Sequence, residues 1–169
     1  MKAMTSRYLW LAIAMVSISL VAGSFVLVAW MKLEPCPLCI FQRLLFMIMS
    51  VLAFMTFFAA RHPVGRPVGI LTLLTAISGA GVAGYQVWLQ AQPAARFTCG
   101  GADPNLIERV VDWLGQHAPL LFLATGECQD TALMIMGFSL AAWALAAFAT
   151  SAVVSFWALV GRRAEVATR

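Results

Sequence analysis

Four runs of about 20 apolar residues, separated by short polar breaks, take up most of this 169-residue chain. About 20 helical residues cross a hydrocarbon core of roughly 30 Å. Inside lipid every backbone N–H and C=O must be satisfied within the segment or a closed barrel, and runs of this length satisfy it as helices. The expected fold is therefore an all-α membrane protein, a four-transmembrane-helix bundle forming a single membrane domain over 1–169. Its spans are expected at about 8–31, 38–60, 68–89 and 136–160. The first run, from Tyr8 to Trp30, is longer than a signal-peptide core, and Trp30-Met31-Lys32 offers no small-residue cleavage site, so it reads as a retained span.

Charge sets the orientation. With four spans, both termini and the Arg61 to Arg66 turn share a side, which carries Lys2, Arg7, Arg61, Arg66, Arg162, Arg163 and Arg169 against Glu165 alone. The opposite side carries Lys32, Arg96 and Arg109, with Arg43 at its boundary, and the acids Glu34, Asp103, Glu108, Asp112, Glu127 and Asp130. Lys and Arg near span ends mark the cytoplasmic face, so both termini are expected there. The net charge of +4 is scattered around spans and forms no dense patch, which argues against nucleic-acid binding.

The one extended polar segment, about 91–131, joins the third and fourth spans on the outer side. Within it Leu106, Val110, Trp113 and Leu114 recur at helical spacing opposite Glu108, Arg109 and Asp112. That pattern predicts a short amphipathic helix, lying in the membrane interface or packed on the mouth of the bundle. In the third span Ala76, Ala80 and Gly84 form a small-residue stripe suited to close helix packing.

All four cysteines, Cys36, Cys39, Cys99 and Cys128, fall on the outer side, where disulfides form and persist. They permit three pairings; the simplest joins Cys36 to Cys39 and Cys99 to Cys128, and spacing alone leaves the others open. A staple suits the second pair, since closing a loop of about 28 residues stabilises by roughly 3 kcal/mol. It does not suit Cys36 and Cys39, whose ring restrains almost nothing. Zinc would need Cys99 and Cys128 to complete four ligands in place of a second close pair, so no metal is expected. The remaining use of Cys-x-x-Cys is redox chemistry. Pro37 suits a first helical position, which puts both thiols at the positive end of the second helix, where a thiolate is favoured. Arg43, four residues beyond Cys39, shares its face. It can snorkel to the interface or balance negative charge on Cys39 and on a bound carbonyl compound. An electron acceptor at a span mouth lined by Phe41 and Phe46 is expected to be lipid-soluble, which fits a quinone.

The stretch Glu34-Pro35-Cys36-Pro37-Leu38-Cys39-Ile40-Phe41-Gln42-Arg43, with Trp88-Leu89-Gln90, Thr98-Cys99 and Ala124-Thr125-Gly126-Glu127-Cys128, resembles the disulfide bond formation protein B family of the bacterial inner membrane along essentially the whole chain. The resemblance implies a protein-dithiol:quinone oxidoreductase with its cysteines on the periplasmic side. A reduced DsbA-like thioredoxin-fold oxidase would attack Cys99 and release Cys128. Cys128 would attack Cys36, and Cys39 would face the quinone, ubiquinone or menaquinone, beside Arg43. The result is reoxidised partner for disulfide formation in exported proteins.

Two positions depart from better-known members: Gln42 stands where a glutamate can occur and Gln86 where a histidine can occur. Neither side chain carries a titratable proton, and neither His62 nor His117 is placed to replace one. Two other readings compete. Vitamin K epoxide reductase-like proteins also set a Cys-x-x-Cys in a helical membrane bundle, but the pair here precedes the second span. A four-span scaffold or transport subunit with purely structural disulfides would leave Cys39 and Arg43 dispensable.

Overall fold

A computed structural model describes residues 2–32, 34–92, 106–126 and 134–167. Four long helices dominate it: α1 (Lys2–Met31), α2 (Pro37–Phe58), α3 (Gly65–Gln90) and, last in the chain, α6 (Leu140–Ala167). Two short helices, α4 (Leu106–His117) and α5 (Pro119–Phe122), lie between α3 and α6, followed by a two-stranded hairpin, β1 (Met134–Ile135) and β2 (Phe138–Ser139). The four long helices contain apolar segments long enough to cross a bilayer, at Arg7–Met31, Pro37–Phe58, Gly65–Gln90 and Leu140–Gly161. Their outward sides carry Val51, Phe54, Ile70, Leu74, Phe156 and Trp157, all exposed. In water so large an apolar surface would drive association; in a bilayer it is the lipid-facing side.

The long helices form a closed ring in which α1 packs on α2, α2 on α3, α3 on α6 and α6 back on α1. Their shared core takes Trp10, Ile13 and Ala14 from α1, Leu45, Phe46 and Met49 from α2, Ala76 and Ala83 from α3, and Phe148 from α6. At its centre Phe46 and Phe148 stack with ring centroids 3.8 Å apart and planes 11° from parallel. Gly79 makes that stack possible, because a Cβ there would run into the Phe148 ring. The buried hydroxyls of Ser17, Thr56 and Thr72 donate back to carbonyls of their own helices at 2.7, 2.8 and 3.0 Å, the usual way to satisfy a hydroxyl in an apolar interior.

The packing edge of α3 differs from the expected stripe. Its buried line runs through Gly69, Thr72, Ala76, Gly79, Ala83 and Gln86, while Ala80 and Gly84 are only partly covered. Steps of four residues drift about 40° per step around a helix of 3.6 residues per turn; alternating steps of three and four stay on one side.

At the cysteine end, α4 packs onto α2. Ile107, Val111 and Leu114 meet Ile40 and Phe41 of α2 and Phe122 of α5. Leu106 and Trp113 remain exposed on the neighbouring flank. The helix therefore has two apolar edges: one packs on the bundle mouth, and the other is free to meet the interface. Where the fourth span was expected to start, near residue 136, the chain turns instead through Met136 and Gly137, both with positive φ, and α6 begins at Leu140. Paired positive φ values make the two-residue turn that matches strand twist.

Candidate functional site

The segment joining α1 to α2 prepares a helix start around the cysteine pair. Cys36 is extended (φ −80°, ψ 161°) and caps α2, with Pro37 in the first turn, as the sequence predicts. The Cys36 sulfur accepts the backbone N–H of Cys39 at 3.3 Å, and the two sulfurs lie 2.7 Å apart. A cap residue and the third helical residue necessarily share one side of the first turn. The first N–H groups of a helix lack intrahelical acceptors, so the positive end of α2 is directed at both sulfurs.

Two other elements converge on this pair. From α3, Gln86, only 2% exposed, places Nε2 3.3 Å from the Cys36 sulfur and 3.1 Å from the Cys39 sulfur. The other end of its amide is occupied as well, since Gln42 Nε2 donates to Gln86 Oε1 at 2.7 Å. From the segment after α5, the N–H groups of Thr125 and Gly126 both donate to the carbonyl of Pro35, at 3.0 and 3.2 Å. Gly126 lies so close to the Glu34 carbonyl that a Cβ would collide with it. Two positions before Cys128, the chain is thus tied to the residue before Cys36.

Arg43 does not extend to the surface. It is 7% exposed, its guanidinium lies 4.2 Å from the centroid of the Phe25 ring, and one terminal nitrogen donates to the Leu121 carbonyl at 3.3 Å. Its Nε is buried with no hydrogen-bond partner among the described residues. Snorkelling would have exposed the head group; here α1, α2 and α5 hold it inside the bundle.

Cys36, Cys39 and Arg43 border one cavity of about 770 Å³, walled by α1 from Ser19 to Val28, by the starts of α2 and α6, by the end of α3 and by the hairpin. Its size falls in the range of small-molecule sites. Its wall is mostly apolar, with Leu20, Leu27, Phe46, Met136 and Trp143 contributing, and Gln42, Gln86, Arg43, Lys32 and Glu34 among its polar points. Phe46 lines it as expected. Phe41 instead points under α4, because two residues turn the helix by about 200° from Cys39.

A family model described as Disulfide bond formation protein DsbB matches residues 6–158. The chain belongs to the disulfide bond formation protein B family. Among its relatives, Disulfide bond formation protein B of Dechloromonas aromatica (strain RCB) is 43% identical over 133 residues, covering 78% of this chain and 79% of that protein. Disulfide bond formation protein B of Azoarcus sp. (strain BH72) is 34% identical over 158 residues, covering 93% and 94%. Disulfide bond formation protein B 2 of Burkholderia lata is 39% identical over 157 residues, covering 89% and 87%. This disulfide bond formation protein B family member is accordingly a multi-pass membrane protein of disulfide formation and an oxidoreductase in that process.

Of the residues singled out from sequence, Cys36, Cys39 and Arg43 meet at the cavity. Cys99 and Cys128 lie outside the described residues. Sequence reasoning did not place Gln86 against the sulfurs, though a signal for it exists: Gln42 and Gln86 are amides within otherwise apolar spans, and polar groups in a membrane interior normally face one another or a site.

Proposed function

We propose that the protein reoxidises a periplasmic DsbA-like thioredoxin-fold oxidase and delivers the electrons to a membrane quinone, ubiquinone or menaquinone. It does so from the bacterial inner membrane, with its single membrane domain oriented so that the cysteines face the periplasm. The supporting observation is the Cys36–Cys39 pair at the border of an apolar cavity that also holds a buried arginine. A scaffold with structural disulfides has no use for that combination.

In the proposed relay a thiolate of the reduced partner attacks Cys99, breaking the Cys99–Cys128 disulfide and forming a mixed disulfide. Cys128 leaves as a thiolate and attacks Cys36; the Cys36–Cys39 bond breaks, and its electron pair stays on Cys39. The partner's second thiolate releases Cys99, completing partner oxidation, and Cys99 then attacks Cys128 to restore the loop disulfide and free Cys36. Each exchange needs a thiolate attacker and an accessible sulfur. The tie between Thr125, Gly126 and Pro35 supports the Cys128 to Cys36 step, since two extended residues reach only about 7 Å.

The cavity suits a quinone: its wall matches an apolar ring and tail, and the unpartnered Arg43 Nε is a donor for a carbonyl oxygen. A quinone supplies the two-electron, two-proton acceptor that lets Cys36 and Cys39 return to the disulfide. Arg43 orients that acceptor and balances negative charge beside Cys39, in a setting where water does not compete.

The test mixes purified protein, ubiquinone and a reduced thioredoxin-fold oxidase and follows quinone absorbance. Loss no faster than without protein would reject the proposal. Trapping with a single-cysteine partner should give adducts at Cys99; adducts mainly at Cys36 would overturn the order of transfers. Arg43→Ala should weaken apparent quinone affinity by roughly ten- to a hundredfold, the loss of a charge-assisted hydrogen bond, with attack by the partner at Cys99 intact. Unchanged quinone dependence would remove Arg43 from the site.

A further inference from the structure

Gln86 touches both sulfurs of the cysteine pair, and we infer that its amide is a catalytic hydrogen-bond donor that holds the charge released on Cys39 when the Cys36–Cys39 disulfide opens, with Gln42 as the positioning residue that orients it. The inference deepens the redox reading above and rests on that pair being opened and closed.

An amide side chain has a donor end and an acceptor end, and only one of them suits a sulfur that becomes negative. Gln42 decides which end is presented. Its Nε2 donates to Gln86 Oε1 at 2.7 Å, leaving the two hydrogens of Gln86 Nε2 for Cys36 at 3.3 Å and Cys39 at 3.1 Å. Reversing the Gln86 amide alone would set oxygen against the sulfur lone pairs and NH₂ against the NH₂ of Gln42. Both glutamines are buried, at 5% and 2% exposure, so water does not replace either bond.

In the step concerned, an incoming thiolate bonds to the Cys36 sulfur, the Cys36–Cys39 bond breaks, and the bonding pair remains on Cys39. No proton moves. The charge arrives on a sulfur whose donor is already in place, and a preoriented donor needs no reorganisation at the moment of reaction.

The charged groups at the cavity are Arg43 on α2 with Lys32 and Glu34 on the segment before it. From α4, Ile107 packs against the cluster of Cys36, Leu38 and Leu89, with Glu108 next to it in sequence. Neither α3, α6 nor the hairpin lines the cavity with a charged residue among those described. The Gln86 amide itself neither gains nor loses a proton in the ordinary range.

The experiment equilibrates the full chain, in detergent and free of quinone, with glutathione redox buffers at fixed pH. The state of Cys36 and Cys39 is read by alkylation and mass spectrometry. Gln86→Leu should shift the equilibrium about tenfold toward the disulfide, which is about 30 mV for a two-electron couple, and slow alkylation of reduced Cys39 by a similar factor. Gln42→Leu should act in the same direction and less. The double variant Gln42→Leu/Gln86→Leu, which leaves no amide stranded, should match Gln86→Leu. Gln86→His, which keeps a ring N–H, should restore the equilibrium and make it vary with pH where imidazole titrates. An unchanged equilibrium in both Gln86→Leu and the double variant overturns the inference. No quinone or partner enters this measurement, so failure of the relay would appear only in the quinone assay.

Discussion

Cys39→Ser should, under the proposed relay, stop partner-driven quinone reduction, with a loss of at least about a thousandfold, as when a covalent nucleophile is deleted. A serine hydroxyl neither forms the disulfide nor leaves with its electron pair, so the pair beside Gln86 ceases to exist. The helix start should survive. The Cys36 sulfur accepts the backbone N–H at position 39, which a side-chain replacement retains, and Pro37 still sets the first turn. Circular dichroism and thermal unfolding in detergent should therefore match the parent, while quinone absorbance stays flat. Residual turnover within tenfold of the parent would mean that electrons leave by a route that bypasses Cys39.

Under the proposed relay, Gly126→Val should separate partner-driven from dithiothreitol-driven quinone reduction. A side chain at 126 meets the Glu34 carbonyl, and forced overpacking of that kind usually costs about 1–3 kcal/mol. Here the segment can relieve the clash by leaving Pro35, forfeiting the bonds from Thr125 and Gly126. The penalty then falls on geometry more than on the fold. Under the proposed relay, a shift of about 1 Å can cost on the order of a hundredfold in rate, so partner-driven quinone loss should drop ten- to a hundredfold. Dithiothreitol, which can attack Cys36 without the loop, should drive quinone loss at the parental rate. Equal losses with both donors would show that the substitution damages the cavity itself.

How far the sequence reveals this arrangement depends on the range of each interaction. The spans are legible because bilayer thickness imposes a length, and the helix start at Pro37 because proline and the cysteine cap act within four residues. Gln86 is 50 positions from Cys36 and 44 from Gln42; which way α3 turns that side chain depends on Gly79 seating against Phe148, a packing event with no local signature. The same holds for Arg43, whose partners, the Phe25 ring and the Leu121 carbonyl, lie on α1 and α5. The amphipathic pattern of α4 was visible, yet the edge it buries runs through Ile107 and Val111, beside the residues that the apolar spacing emphasised.

The cavity is walled on one side by α1 and on another by the start of α6, and at both walls apolar lining residues, Leu20 on α1 and Trp143 on α6, are also exposed on the surface of the protein. Under the proposed relay, the acceptor is thus drawn from a two-dimensional pool. The quantity that saturates the site is the mole fraction of acceptor in the surrounding lipid or micelle, not its concentration in the buffer. Diluting the acceptor with added lipid at constant total volume should slow turnover as effectively as withholding it.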